Sequence, residues 1–186
     1  MIYLDNSATT KPCQSAVEAV HNAMTELWCN PSALYDFGIR GARELRKARA
    51  AVAAAMGAES DRVFFTSGGT EADNWAIFGT AKRMGKRGKH IITTAIEHHA
   101  ILHCMKELEA QGFEVTYLPP NENGSVTLDA LKAALRKDTI LVSIMMVNNE
   151  VGSVMPISAM AKLTHKLCPD AIFHTDAVQG FLKVPF

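Results

Sequence analysis

The 186-residue sequence has no surplus of either charge, because Lys and Arg together number 19 and so do Asp and Glu. That balance gives no argument for nucleic acid, an anionic membrane surface or an acidic partner, and leaves a small polar ligand open. Clustered cysteines are missing as well. Cys13, Cys29, Cys104 and Cys168 are scattered, with no C-x-x-C pair and no tight Cys/His spacing, which argues against a disulfide framework and against structural zinc. A reducing, cytoplasmic setting is the expectation. No apolar run approaches the ~20 residues of a membrane helix. The opening "MIYLDNSATT" meets an acid at Asp5 before any long apolar stretch, so it predicts no secretory leader. Low-complexity linkers and sequence repeats are also lacking, and the length fits one domain or a large part of one, at roughly 100–200 residues per core.

What the sequence does have is alternation. Apolar residues recur at helical spacing from Ser15 to Trp28 and again through "GARELRKARAAVAAAMG", which predicts two helices. "RVFFTSGG" then reads as a short strand closed by glycines, and "TEADNWAIFGTAKRMGKRG" as a helix ending in a basic turn. The pattern repeats as "HIITTAI", "HHAILHCMKELEAQG", "FEVTYLP", "LDALKAALRKD", "TILVSIMMV", "SAMAKLTHKLC" and "AIFHTDA". Strands apolar on both faces, alternating with amphipathic helices, predict an α/β domain with a mostly parallel sheet flanked by helices.

In such sheets ligands bind beyond the carboxyl ends of the strands. Those ends carry "TSGGTE" (Thr66–Glu71), "IEHHA" (Ile96–Ala100), "NNEVG" (Asn148–Gly152) and "HTDAVQ" (His174–Gln179). Gly69 and Thr70 at a helix start could seat a phosphate or simply cap the helix, and the missing lysine excludes a P-loop. Asp176 after an apolar strand could cap a helix, bind a metal or face a cation carried by a ligand. His99 and His103 are one helical turn apart, but no carboxylate or thiolate spacing completes a metal site, so none is predicted. Asn148 and Asn149 could close their own loop or reach a ligand. Taken together, a phosphate seat, an imidazole, an amide pair and an acid suit a phosphorylated aromatic cation.

The ordered motifs "YLDNSATT", "NPSALYDFG", "FTSGGTEADNWAI", "EHHAIL", "VNNEVGSVMPI" and "HTDAVQGFLKVPF" resemble the N-terminal part of cysteine desulfurases of the NifS/IscS type. These belong to the class V aminotransferase-like, fold type I enzymes that use pyridoxal 5'-phosphate. The resemblance implies that residues 1–186 are the N-terminal part of the cofactor-binding large domain. It also implies roles. Asp176 would pair with the pyridinium nitrogen and Gln179 would hydrogen-bond the phenolic oxygen. His98 would stack on the ring and serve acid–base chemistry, Gly69 and Thr70 would bind the phosphate, and Asn149 would contact cofactor or substrate.

The implied reaction converts L-cysteine to L-alanine and passes sulfur, as a persulfide, to an acceptor protein for iron–sulfur or thio-cofactor assembly. The family's Schiff-base lysine and sulfur-carrying cysteine come from motifs that follow the stretch matched here, so the 186 residues alone are not expected to turn over. Tyr35 stands where relatives often carry His. Selenocysteine lyase, another class V enzyme, or a non-catalytic pairing module remain alternatives. The implied partners are a second copy of the chain or a complementing C-terminal segment.

Overall fold

Four of the five residues of His90–Thr94 are β-branched, and all five are buried. A strand with no exposed face needs cover from both sides, and its neighbours supply it. The structure, a computed structural model, describes residues 2–185 and divides between Phe65 and Thr66 into two compact units.

The first unit holds α1 (Gln14–Glu26), α2 (Asp36–Met56) and a single 3₁₀ turn at Ser60–Arg62. Helix α2 stops at Gly57, whose φ of 64° is the left-handed cap that glycine adopts without strain. Gly41 is required by proximity, since a Cβ there would lie 2.3 Å from the Cys29 Sγ. The strand predicted in "RVFFTSGG" does not form. Residues 63–66 have no strand pairing, and Phe64 and Phe65 stay exposed. An apolar run becomes a strand only if a neighbour takes its N–H and C=O groups; here the Val63 carbonyl accepts from Arg49 Nε at 3.0 Å instead.

The second unit runs α3 (Gly69–Met84), β1 (His90–Thr94), α4 (His99–Ala110), β2 (Glu114–Leu118), α5 (Leu128–Ala134), β3 (Thr139–Ser143), α6 (Ile157–Leu167) and β4 (Ile172–His174). Its four strands are all parallel in the order β2-β1-β3-β4. Because strand side chains alternate, Ile91 and Leu141 face one side and pack with Ile77 of α3 and Ile101, Met105 and Leu108 of α4. Ile92 and Val142 face the other, with Leu131 of α5 and Met160 of α6. The chain leaves β1 toward β2 and returns to β3 on the opposite flank, so the connections diverge above β1 and β3. That divergence is where an open α/β sheet leaves a crevice.

At the other end of the sheet, fully buried His90 joins three strands. Its Nδ1 lies 2.8 Å from Thr139 Oγ1 on β3 and its Nε2 lies 2.8 Å from Thr116 Oγ1 on β2. Burial lowers its pKa from the usual histidine value, and Arg136 lowers it further, partly offset by Asp138 and Glu114. The folded chain thus prefers neutral His90, while the unfolded chain takes up a proton below about pH 6.5. Stability that His90 contributes above that pH is lost as pH falls. We expect the urea-midpoint advantage of wild type over His90→Gln to shrink between pH 7.5 and pH 5. A constant gap would contradict this account.

Candidate active site

The carboxyl ends of β1, β3 and β4 and the start of α3 carry the polar groups. Helix α3 begins after Gly68 with no side chain capping its N-terminus. Thr66 Oγ1 donates to the Gly68 carbonyl at 3.0 Å, and the Glu71 carboxylate takes both the Ser67 N–H (2.6 Å) and the Ser67 hydroxyl (2.7 Å). The turn is thereby fixed by its flanks, while Gly69 and Thr70 stay exposed. A Cβ on Gly69 would come within 3.1 Å of Val178 Cγ2, which places the glycine turn beside the loop that carries Asp176.

Asp176 follows β4 and continues its pairing, its carbonyl accepting the Met146 N–H at 2.8 Å. Its Oδ1 accepts the Val178 N–H at 2.9 Å, and among the described residues no lysine, arginine or histidine forms an ion pair with it. Next to it, the buried Thr175 Oγ1 has no partner within the described chain. Gly180 lets this loop lie against the segment that follows β3, because a Cβ there would fall 2.3 Å from Met146 Sδ. Gln179 is half-buried, with Lys183 Nζ at 3.5 Å from its Oε1.

His98 is exposed and caps α4, its Nδ1 accepting the Ala100 N–H at 3.2 Å. A nitrogen that accepts a hydrogen bond carries no proton, so the neutral ring has its hydrogen on Nε2. His98 and Asn149 line one cavity of about 380 Å³ together with Ile96, Glu97, His99, Pro120 and Glu150. Asp176, Gln179, Gly69 and Thr70 do not line it. The two asparagines divide their tasks. Buried Asn148 closes the loop, its Nδ2 donating to the Ile96 carbonyl (2.9 Å) and its Oδ1 accepting the N–H groups of Glu150 (3.0 Å) and Val151 (2.9 Å). Asn149 is left half-buried at the cavity wall.

Three buried groups went unpredicted. Glu97 is 5% exposed; its Oε1 accepts from Thr94 Oγ1 at 2.7 Å and from the Met145 N–H at 2.9 Å, and its Oε2 is buried without a partner. Asp73, 6% exposed, faces His174 Nε2 at 3.6 Å, and His174 Nδ1 meets Ser143 Oγ at 2.9 Å. Burial raises the Asp73 carboxyl to about 7, helped by the negative charge of Asp176, and the same burial lowers His174. Burial thus disfavours the charged form of both partners, and 3.6 Å is too long for a charge-assisted bond. The only sequence signal for these residues was position, each standing within a strand-end motif or one turn after it.

A parallel α/β sheet whose strand ends present an uncapped helix start, an imidazole, an amide and an acid without an ion-pairing cation has the layout of a ligand site at the carboxyl end of an open sheet. The profile of the aminotransferase class-V family matches residues 2–186. The cysteine desulfurase IscS of Methanosarcina thermophila is 50% identical over 184 residues, which is 99% of this chain and 45% of that protein. Its counterpart in Dictyoglomus turgidum is 47% identical over 184 residues, 99% of this chain and 46% of that protein. Among solved structures, a NifS-like protein superposes with a TM-score of 0.96 at 39% identity, covering 100% of this chain and 51% of the other. SspA in complex with cysteine superposes at 0.91 with 35% identity, covering 98% and 52%. The chain belongs to the class-V aminotransferase family, and it spans about half the length of the curated relatives it matches.

Proposed function

We propose that residues 1–186 form the N-terminal part of the cofactor-binding large domain of a pyridoxal 5'-phosphate-dependent cysteine desulfurase, acting on L-cysteine and delivering sulfur to an acceptor protein. The observation that carries this reading is Asp176: a carboxylate at the end of β4 with a single backbone donor and no ion-pairing cation among the described residues. Such a group suits a ligand that brings its own positive charge. The uncapped start of α3, adjacent to the same loop, suits that ligand's phosphate.

A pyridoxal 5'-phosphate held here would supply an electron sink for bond breaking at the substrate Cα. Asp176 would hold the proton on the ring nitrogen, and the Gly69 and Thr70 N–H groups would orient the phosphate. Gln179 would donate to the phenolic oxygen, and Asn149 would contact cofactor or substrate from the cavity wall. Because its Nδ1 is engaged in capping α4, His98 would use Nε2 for any proton transfer, and a face of its ring for stacking.

The lysine and cysteine that complete the family's chemistry would come from a complementing segment, and pairing with a second copy of the chain is the other partner implied. Co-expression with a segment bearing that lysine and cysteine is expected to release alanine and sulfide from L-cysteine. A folded, cofactor-loaded complex inert toward cysteine would sink the proposal, and activity confined to selenocysteine would redirect it to a lyase.

A further inference from the structure

Three carboxyl groups from three separate elements gather at the carboxyl ends of β3 and β4: Glu97, from the loop entering α4, accepts the Met145 N–H, Asp176 pairs through its carbonyl with the Met146 N–H, and Asp73 of α3 faces His174. Among the described residues no lysine or arginine pairs with any of them. Three ionised acids could not share such a place, because each adds the cost of burial and of its neighbours' charge.

We propose that Asp73 and Glu97 are positioning residues that hold protons beneath the site, leaving Asp176 as the single anion that faces the cationic ligand, and that arrival of the ligand drives those protons off. The identity of the ligand rests on the function proposed above; the proton-holding pair rests on the three carboxyls themselves.

Glu97 shows the arrangement most plainly. Its Oε1 is satisfied by two donors, whereas Oε2 is buried with no partner in the described chain. An ionised Glu97 would leave half its charge on that bare oxygen, and a neutral acid costs less there because it buries no charge. The residue also borders the cavity shared with His98 and Asn149. Burial raises Glu97 to about 7 against the opposing bonds from Thr94 and Met145, with the charges of Asp176 and Asp73 adding to the rise.

Asp73 has only the distant, neutral His174 on one side. The other titratable groups around it are Asp176 and Glu97 and, on α4, the Cys104 thiol, which burial and then Asp73 push up to about 11. Nothing in that set is a resident cation. A positive ligand lying against Asp176 would therefore be the first charge to favour ionisation of either acid.

The test follows the side-chain carboxyl ¹³C signals of the chain between about pH 4 and pH 9, with Asp73→Asn and Glu97→Gln used to assign them. Both acids are expected to titrate near 7 in the ligand-free chain. Asp176→Asn, or Asp176→Ser if the first variant folds poorly, should bring both midpoints down, and saturating pyridoxal 5'-phosphate should lower them by roughly one pH unit. A pair of structural staples would not respond to either change. Midpoints in the ordinary carboxylate range, or midpoints indifferent to loss of the Asp176 charge, would overturn the pair. Tight uptake of pyridoxal 5'-phosphate that leaves both midpoints in place would overturn the displacement of protons. A chain that responds to Asp176→Asn but takes up no pyridoxal 5'-phosphate would uphold the pair and overturn the cofactor reading instead.

Discussion

Asp176→Asn is expected to weaken pyridoxal 5'-phosphate binding by about a hundredfold, or about 2.7 kcal/mol. The substitution keeps the shape and can keep the bond from the Val178 N–H, so what disappears is the charge proposed to face the ring nitrogen. Absorbance titration of the cofactor reads the loss. Asp170→Asn is the control, because Asp170 is a surface acid whose partner is the exposed Arg87 at 3.4 Å. The same substitution should move stability the other way. Asp73 and Glu97 are raised to about 7, so above that pH their ionisation costs the folded state free energy, and the charge of Asp176 adds to that cost. At pH 8 the ligand-free Asp176→Asn chain should have a higher urea midpoint than wild type. Below the ordinary carboxylate pKa the advantage should vanish, because both acids are protonated folded and unfolded. A variant that binds the cofactor normally, or is destabilised at pH 8, would mean that Asp176 is not the charge that meets the cofactor.

The second large effect lies in the core. Ile91→Ala and Ile92→Ala should each cost about 3 kcal/mol, as deletion of fully buried isoleucine atoms leaves a cavity that neighbours only partly fill. Although adjacent in the chain, the two side chains sit in different cores on opposite faces of β1. Their costs should add with an interaction below about 0.5 kcal/mol. Together the alanines would remove much of a domain's usual margin of 5–15 kcal/mol. The milder Ile→Val pair therefore gives the cleaner cycle in urea. Strong coupling between the valines would mean that the two faces share one deformable core rather than a stiff sheet between two.

The helices and the four strands were legible because each owes its period to its own residues: the β-branched run of β1 and the helical spacing of α4 need no distant information. The strand expected in "RVFFTSGG" failed for the opposite reason, since pairing is a property of two segments. Helix α5 was also read too long. It ends at Ala134 because Arg136 leaves the helix to hold Glu114 and Asp138, a choice set by β2 and β3 rather than by local propensity. The strand-end rule pointed to residues of which the structure gathers His98 and Asn149 at one cavity and Gly69 beside the Asp176 loop. It could not separate Asn148 from its neighbour. Nor could it single out Asp73, Glu97 and His174, whose character comes from burial that exists only once α3, α4 and β4 have packed.

His90 has a consequence for how the chain finds its fold. The ring reaches a hydroxyl on each flanking strand, and both are met only when β2 and β3 stand at one particular offset from β1. Sliding either strand by a residue moves its threonine by about 3.3 Å and turns it to the far side of the sheet, abandoning an imidazole nitrogen in a dry interior. One side chain thus inspects two alignments at once, and a misassembled sheet would carry its own penalty before any ligand could be held.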